Sequence, residues 1–141
     1  MLQIDHYQGA YGPIIWLEAD SSTDLGRLLA IFRLLARGAA DEIELCTAMD
    51  AQTRNLAALR LRVDEQTRDR RKRLTRNATY NRLRAPEPEP PSFVWSERRA
   101  GWSERAAAVE SLLRRNCSAN HDLTEEGVDG VLVELSFQGA A

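Results

Sequence analysis

A cluster of prolines near residue 90 constrains the fold of this chain more than any other feature of its sequence. Four of the five prolines lie in the run Ala-Pro-Glu-Pro-Glu-Pro-Pro at residues 85–91. Proline fixes its own φ and lacks an amide hydrogen, so neither a helix nor a central strand tolerates this spacing. We therefore predict an extended, polyproline-like surface loop over residues 77–91.

The chain before this loop begins with a predicted β-hairpin and a helix. Residues 2–7 alternate apolar and polar side chains, and residues 13–19 are rich in β-formers. The glycines between these segments favour a short turn and therefore a hairpin. Residues 21–24 are good N-cap and first-turn residues, apolar side chains follow at helical spacing, and Gly38 supplies a C-cap. This pattern predicts one amphipathic helix.

Further strands are predicted between this helix and the proline-rich loop. Residues 41–46 form a short candidate strand, and residues 59–64 alternate strictly between apolar and charged side chains. The alternation puts Arg60 and Arg62 on the solvent face of a half-buried strand. Residues 70–76 are predicted to be the hairpin partner of that strand.

The chain after the loop predicts a strand, a second helix and a final strand. Residues 93–95 restart a strand, and Ser96 is a candidate N-cap for a helix that runs to about Arg115. Residues 130–137 alternate again. Neighbouring strands joined by short turns favour antiparallel pairing. The predicted fold class is therefore α+β: a single-layer, mostly antiparallel sheet of about five or six strands with two helices on one face.

Length and composition indicate one globular domain that spans residues 1–141. A chain of this length buries about two thirds of the surface that it exposes when unfolded. With 43% hydrophobic and 28% charged residues, its composition is that of an ordinary folded protein. The first twenty residues lack a basic start followed by an apolar run. We therefore expect no signal peptide, no membrane partner and a cytoplasmic location.

The positive charge of the chain is concentrated in one segment. Although the formal net charge is −2, eleven of the nineteen basic residues lie between Arg54 and Arg84, where only three acids oppose them. A concentrated basic segment can attract an anionic partner. The candidate partner-binding arginines are Arg60, Arg62, Arg70, Arg71, Arg73 and Arg76.

Two interpretations of this basic segment are open at the level of sequence. Guanidinium groups suit phosphate and Tyr80 can stack on an unpaired base, which favours a nucleic-acid-binding accessory protein that uses residues 68–84. Against it, the whole chain is mildly acidic and the segment holds a single aromatic residue. The other interpretation is a solvated hairpin face whose arginines pair with acids elsewhere in the fold.

Candidate binding residues of other kinds lie near both ends of the chain. Asp122, Glu125 and Glu126 form an acidic group whose spacing does not fit a calcium-binding loop, so a solvated turn is predicted there. Trp16 lies on the open face of the sheet if its neighbours in the strand face the helices. An aromatic side chain on such a face is a natural anchor for a partner.

The two cysteines and two histidines form no recognisable catalytic or metal-binding motif. Cys46 and Cys117 are not spaced as a C-x-x-C pair, and we expect two reduced core thiols. Cys117 and His121 stand four residues apart, so a hydrolase with this nucleophile pair is one hypothesis, although no third residue or oxyanion donor can be named. No phosphate-binding glycine motif occurs. The sequence therefore predicts no metal, no cofactor and no enzymatic activity.

The last third of the chain resembles a class of bacterial proteins. The run from His121 to Phe137, preceded by Val-Trp-Ser at residues 94–96 and Gly-Trp at residues 101–102, resembles small bacterial proteins, several of which are similar to immunity proteins that accompany secreted polymorphic toxins. The resemblance implies a non-enzymatic interaction protein, most concretely an immunity-type inhibitor that binds and occludes a toxin or effector. It carries no catalytic motif, so no functional residue is transferred from it.

Overall fold

The computed structural model describes residues 1–10, 12–65, 74–76, 90–124 and 132–138. Within these ranges the elements follow one another as β1 (Gln3–Gly9), β2 (Gly12–Ala19), α1 (Ser22–Ala36), β3 (Glu42–Glu44), α2 (Leu45–Ala48), β4 (Gln52–Arg54), β5 (Ala58–Val63), β6 (Leu74–Arg76), β7 (Ser92–Glu97), α3 (Arg99–Arg115), β8 (Ala119–Asp122) and β9 (Leu132–Phe137). None of the helices in these ranges is long and apolar enough to span a membrane.

The first sheet has five strands in the order β4-β1-β2-β9-β8. β1 and β2 form the predicted hairpin, with Ile4 opposite Leu17, and β8 pairs antiparallel with β9. The other two neighbouring pairs, β1 with β4 and β2 with β9, are parallel. Ile4, Leu17 and Leu135 are fully buried, so one face of this sheet packs on the core and the alternate side chains point outward.

The second sheet has four strands in the order β3-β5-β7-β6. β3 pairs antiparallel with β5 and β6 with β7, whereas β5 and β7 are parallel. Leu61 of β5 lies opposite Trp95 of β7, and both side chains are fully buried. Arg60 and Arg62 alternate onto the outward face, as the sequence pattern predicts.

The two halves of the chain share one topology and exchange strands. In each half an antiparallel pair, β1–β2 or β6–β7, leads into a long helix, and a second antiparallel pair, β3–β5 or β8–β9, follows. The second pair of each half joins the first pair of the other half through a parallel contact, β2 with β9 and β7 with β5. Each parallel contact ends in an equivalent backbone hydrogen bond. Asp64 N donates to Glu97 O over 2.9 Å after β5 and β7, and Gln138 N donates to Ala19 O over 3.2 Å after β9 and β2. Each sheet is therefore built by both halves.

A single hydrophobic core joins both sheets and the two long helices. The ring centroid of Phe32 in α1 is 5.8 Å from that of Trp95 and 5.4 Å from that of Trp102. The two tryptophan rings are 4.8 Å apart, and both side chains are fully buried. The Trp102 indole N–H donates to Arg62 O over 3.0 Å, which satisfies a polar group inside the core.

One arginine joins the ends of the two long helices. The Ser21 side chain caps the first turn of α1, as predicted, and Gly38 follows its last turn with a φ of +82°, which favours glycine. Arg99, the first residue of α3, donates from Nη1 to Leu35 O over 3.0 Å and from Nη2 to Asp41 Oδ1 over 2.6 Å. A cation therefore lies at the negative end of α1.

The second long helix begins later than the sequence predicts. Ser96 is not its N-cap but a buried residue of β7. The Glu65 carboxylate accepts a hydrogen bond from Arg99 N over 2.9 Å, which places negative charge at the positive end of α3. This cap comes from a residue distant in sequence, so the local pattern around Ser96 does not reveal it.

The α+β class is confirmed, and four of the seven strand pairs in the described residues are antiparallel, but the predicted single-layer sheet is wrong. The strands form two sheets, and each contains parallel pairing between strands that are far apart in sequence. The prediction that residues 70–76 pair with residues 59–64 is also wrong, because β6 pairs with β7, and β5 lies on the other side of β7. Alternation identifies the side chains that face the core, yet it does not identify the neighbouring strand.

The predicted proline-rich loop at residues 77–91 lies outside the described residues except for Pro90 and Pro91. Pro91 is buried, and its carbonyl oxygen accepts a hydrogen bond from Ala57 N over 2.8 Å. This bond joins the start of β7 to the start of β5, where the parallel pairing of the second sheet begins.

Candidate functional site

One row of side chains crosses the outward face of the first sheet. Cross-strand pairing places Asp5 of β1 opposite Trp16 of β2, and Trp16 opposite Glu134 of β9. On the next strand, Asp122 of β8 lies opposite Glu134. We call these four residues, Asp5, Trp16, Glu134 and Asp122, the Trp16 row. The row puts an aromatic side chain between two carboxylates, and a third carboxylate lies one strand further on.

A groove of about 450 Å³ lies along one end of the Trp16 row. Trp16 is half-buried, whereas Ile15 and Leu17 on either side of it in β2 are fully buried, as the alternation predicts. Tyr7 of β1 is a large aromatic side chain that is 38% exposed. The groove is lined by Gln3, Ile4, Asp5, Tyr7, Trp16, Glu18, Gln52, Thr53 and Arg54. Its size and its aromatic lining suit a side chain or a short peptide segment.

The carboxylates that line the groove accept hydrogen bonds from neutral amides. Asn55 Nδ2 donates to Asp5 Oδ1 over 3.1 Å, and Gln138 Nε2 donates to Glu18 Oε1 over 3.2 Å. An amide donor carries no net charge, so it leaves the negative charge of the carboxylate in place. With two carboxylates against the single cation Arg54, the charged side chains that line the groove carry a net negative charge.

The other end of the Trp16 row brings like charges together. Glu134 and Asp122 lie directly opposite each other on neighbouring strands, an arrangement that destabilises a sheet. Burial, followed by the nearby negative charge of Glu134, raises the pKa of Tyr7. Tyr7 thus stays a neutral phenol that can donate a hydrogen bond.

On the outward face of the second sheet, arginines of β5 lie opposite glutamates of β3. Arg60 lies opposite Glu44, and Arg62 lies opposite Glu42. Arg60 Nε is also 3.6 Å from Glu42 Oε1. Glutamates on the neighbouring strand therefore offset the charge of these two predicted partner-binding arginines, and β5 does not present a purely basic surface.

Comparison with known proteins gives this chain no family. No protein-family model, curated protein or solved structure matches it.

Most of the arginine-rich segment lies outside the described residues. Of the predicted partner-binding residues, the following fall outside them: Arg70, Arg71, Arg73, Glu125 and Glu126. Arg76 lies in β6, opposite Phe93 of β7. The nucleic-acid hypothesis for residues 68–84 stays a prediction.

The structure unites two predicted site residues and adds three that the sequence patterns did not single out. Trp16 and Asp122 both belong to the Trp16 row. Asp122 is the exposed last residue of β8, and Glu125 and Glu126, for which the same solvated turn is predicted, lie outside the described residues. The added residues are Asp5, Glu18 and Glu134. Alternation within each strand can assign them to an outward face, but only the strand order brings those faces together.

The cysteines and histidines are not arranged for catalysis or metal binding in the described part of the chain. Cys117 is exposed, contrary to the prediction of a core thiol, and no hydrogen bond joins it to His121 on β8. Burial, followed by the negative charge of Glu44, raises the pKa of the half-buried Cys46 to about 12. Within the described ranges, no group of three or more His, Cys, Asp or Glu side chains could hold a metal ion. The hydrolase hypothesis gains no geometric support.

Proposed function

We propose that this protein is a non-enzymatic, cytoplasmic interaction protein: an immunity-type inhibitor that binds and occludes a basic toxin or effector through the outward face of the first sheet. The observation that carries the proposal is the Trp16 row, in which Trp16 lies between Asp5 and Glu134. A large aromatic side chain surrounded by polar groups is typical of the residues that dominate binding energy in protein interfaces.

The charge of this face favours a basic partner. Asp5 and Glu18 accept hydrogen bonds from amides, and Glu134 lies opposite Asp122. A partner that brings arginines or lysines complements the negative charge of this face, and long-range attraction speeds the encounter. A row of carboxylates also resembles the phosphates of a nucleic acid, so it suits a partner whose own site binds phosphate.

The resemblance of the last third of the chain to immunity-like proteins favours a toxin or effector as the partner. Two residues of the Trp16 row, Asp122 and Glu134, belong to that part of the sequence. An occluding inhibitor works by covering a site of its partner and needs no catalytic group of its own.

Co-expression with the product of the adjacent gene tests this function. We expect that product to stop bacterial growth when it is expressed alone, and the present chain to restore growth by forming a complex with it. Trp16→Ala should weaken the complex about 30-fold in Kd, because truncation of a dominant interface residue costs about 2 kcal/mol. Titration calorimetry with the purified proteins measures this change.

Arg60→Ala is the matched control, because Arg60 is exposed on the outward face of the other sheet. It should change Kd by less than about twofold, as expected for a residue outside the interface. Thermal unfolding of both variants separates a loss of binding from a loss of folding. The proposal is contradicted by a neighbouring product that is not toxic, by toxicity that persists, or by binding that depends on Arg60 and not on Trp16.

A further inference from the structure

We infer that the groove along the Trp16 row receives an arginine side chain of the partner, whose guanidinium plane stacks on the Trp16 indole between Asp5 and Glu134. The inference rests on the proposed function for its docking face, and it adds the chemistry of the group that this face recognises. The groove has a volume of about 450 Å³, which accommodates an extended side chain. Asp5 and Trp16 line it, whereas Glu134 lies just outside its lining, on the strand beyond Trp16.

The register of the first sheet sets the three recognition elements side by side. Asp5 and Glu134 are the direct cross-strand neighbours of Trp16, and such neighbours have Cβ atoms about 5 Å apart. A cation above the indole is therefore within reach of a carboxylate on either side, and the negative face of the ring attracts it as well. Glu134 also lies near Tyr7, but a carboxylate has two oxygens and accepts more than one hydrogen bond.

The flat aromatic surface favours arginine over lysine. A guanidinium group is planar and weakly hydrated, stacks on aromatic rings and carries five N–H donors, whereas an ammonium group is a compact and strongly hydrated charge. Trp16 supplies the ring, and Asp5 and Glu18 supply acceptors on the same face of the sheet. An ammonium group gains the charge attraction but makes a poorer stack.

One cation of the chain itself lies at the edge of the groove. Arg54 of β4 is opposite Asp5, but no ion pair joins these two described residues, and Asn55 supplies the hydrogen bond to Asp5 instead. Arg54 therefore offsets part of the charge of Asp5 without occupying its oxygens, and a guanidinium group of the partner competes with it. Because Arg54 repels that group, removal of its charge should tighten binding rather than weaken it.

Peptide titration followed by nuclear magnetic resonance tests the inference on the full chain. The probe is an acetylated and amidated Gly-Arg-Gly tripeptide, and the signal is the indole N–H resonance of Trp16. Trp95 and Trp102 are fully buried, so their indole signals serve as internal references. We expect a saturable shift at Trp16 alone. The same peptide with citrulline, a neutral analogue of similar shape, should bind at least about tenfold more weakly, and the lysine peptide at least about threefold more weakly.

Two variants test whether the charges of Asp5 and Arg54 affect the binding of the arginine peptide. Asp5→Asn keeps the side-chain shape but removes the charge, and should weaken the arginine peptide at least about threefold. Arg54→Ala should tighten it, by about twofold. The inference is overturned by the lack of a saturable shift, by equal binding of the citrulline or lysine peptide, or by Asp5→Asn without effect. Arginine binding without toxin relief contradicts only the proposed function, and toxin relief without arginine binding contradicts only this inference.

Discussion

The two cysteines differ in what surrounds them. Cys46 is half-buried in α2, and burial, followed by the negative charge of Glu44, raises the pKa of its thiol to about 12. Cys117 is exposed in the turn after α3. Because the thiolate is the reactive form of cysteine, the two side chains should differ widely in reactivity.

We expect iodoacetamide at about pH 8 to modify Cys117 and not Cys46 in the folded protein. A thiol with a pKa of about 12 is ionised to about one part in ten thousand at that pH. Intact-mass measurement should show a single adduct in the folded state and a double adduct after unfolding in guanidinium. Cys117→Ser is the control and should leave the folded protein unmodified. Alkylation of Cys46 at the rate of Cys117 would show that its burial is not maintained in solution.

For single residues, alternation in the sequence predicts which face of the sheet a side chain lies on, but not which residues lie beside it on the neighbouring strands. It places Trp16 outward and Leu17 inward, and both placements are confirmed. It does not show that Asp5 and Glu134 flank Trp16, because β1 and β9 lie at opposite ends of the chain and their pairing with β2 is decided by tertiary packing. The sequence alone therefore does not predict that these two carboxylates belong to the candidate site.

Among contacts between elements, the hydrogen bond from Arg99 links the start of α3 to the end of α1. Arg99→Ala should lower the free energy of unfolding by about 1.5–3 kcal/mol, the usual contribution of a hydrogen bond from a charged donor. The substitution leaves Leu35 O, at the negative end of α1, without the guanidinium that now lies 3.0 Å away. Urea denaturation measures the change through the transition midpoint.

Asp41→Ala is the matched control for this arginine. The Asp41 side chain is 80% exposed, and its one ion pair among the described residues is with Arg99, so its loss should cost less than about 1 kcal/mol. Equal losses for the two variants would mean that the bond to the helix carbonyl contributes nothing. The close approach of Arg99 to Gly38 agrees with its capping role, since Nη1 lies 3.3 Å from the position of an added Cβ.

The elements that sequence patterns missed are short and held by distant contacts. β4 has three residues, and α2 and β8 have four each, which is too few for a hydrophobic period to emerge. α2 also breaks the strand predicted for residues 41–46, because the Glu44 carboxylate accepts a hydrogen bond from Thr47 N over 2.6 Å and caps a helical turn. α1, by contrast, has fifteen residues and local caps, and was predicted close to its observed bounds.

For the whole molecule, the exchange of strands predicts how a divided chain behaves. A cut between residues 69 and 70, in the gap between β5 and β6, gives fragments that each keep one long helix. Neither fragment can complete a sheet alone, because β2 pairs with β9 and β7 pairs with β5. We expect the co-expressed fragments to assemble one-to-one with the circular dichroism of the intact chain. Each fragment alone should lack a cooperative thermal transition.

Leu17→Asp in the first fragment tests whether assembly depends on the pairing of β2 with β9. Leu17 is fully buried and lies opposite Leu135 of the other fragment, so a charge there should abolish assembly. Gln52→Asp, at an exposed position of β4 opposite the neutral Gln3, should assemble normally. A fragment that folds as a monomer, or assembly that tolerates Leu17→Asp, would contradict the exchanged topology.

Strand exchange also determines when the protein can become stable during its synthesis. β1 and β2 leave the ribosome early, yet β9, which pairs with β2 to join the two halves in the first sheet, ends only at Phe137. Parallel pairing over so long a stretch is slow, because a large loop must close first. In the interval the inner face of the hairpin, with Ile4 and Leu17, is open to chaperones and to other nascent chains. The yield of this protein in cells should therefore respond strongly to translation speed and growth temperature.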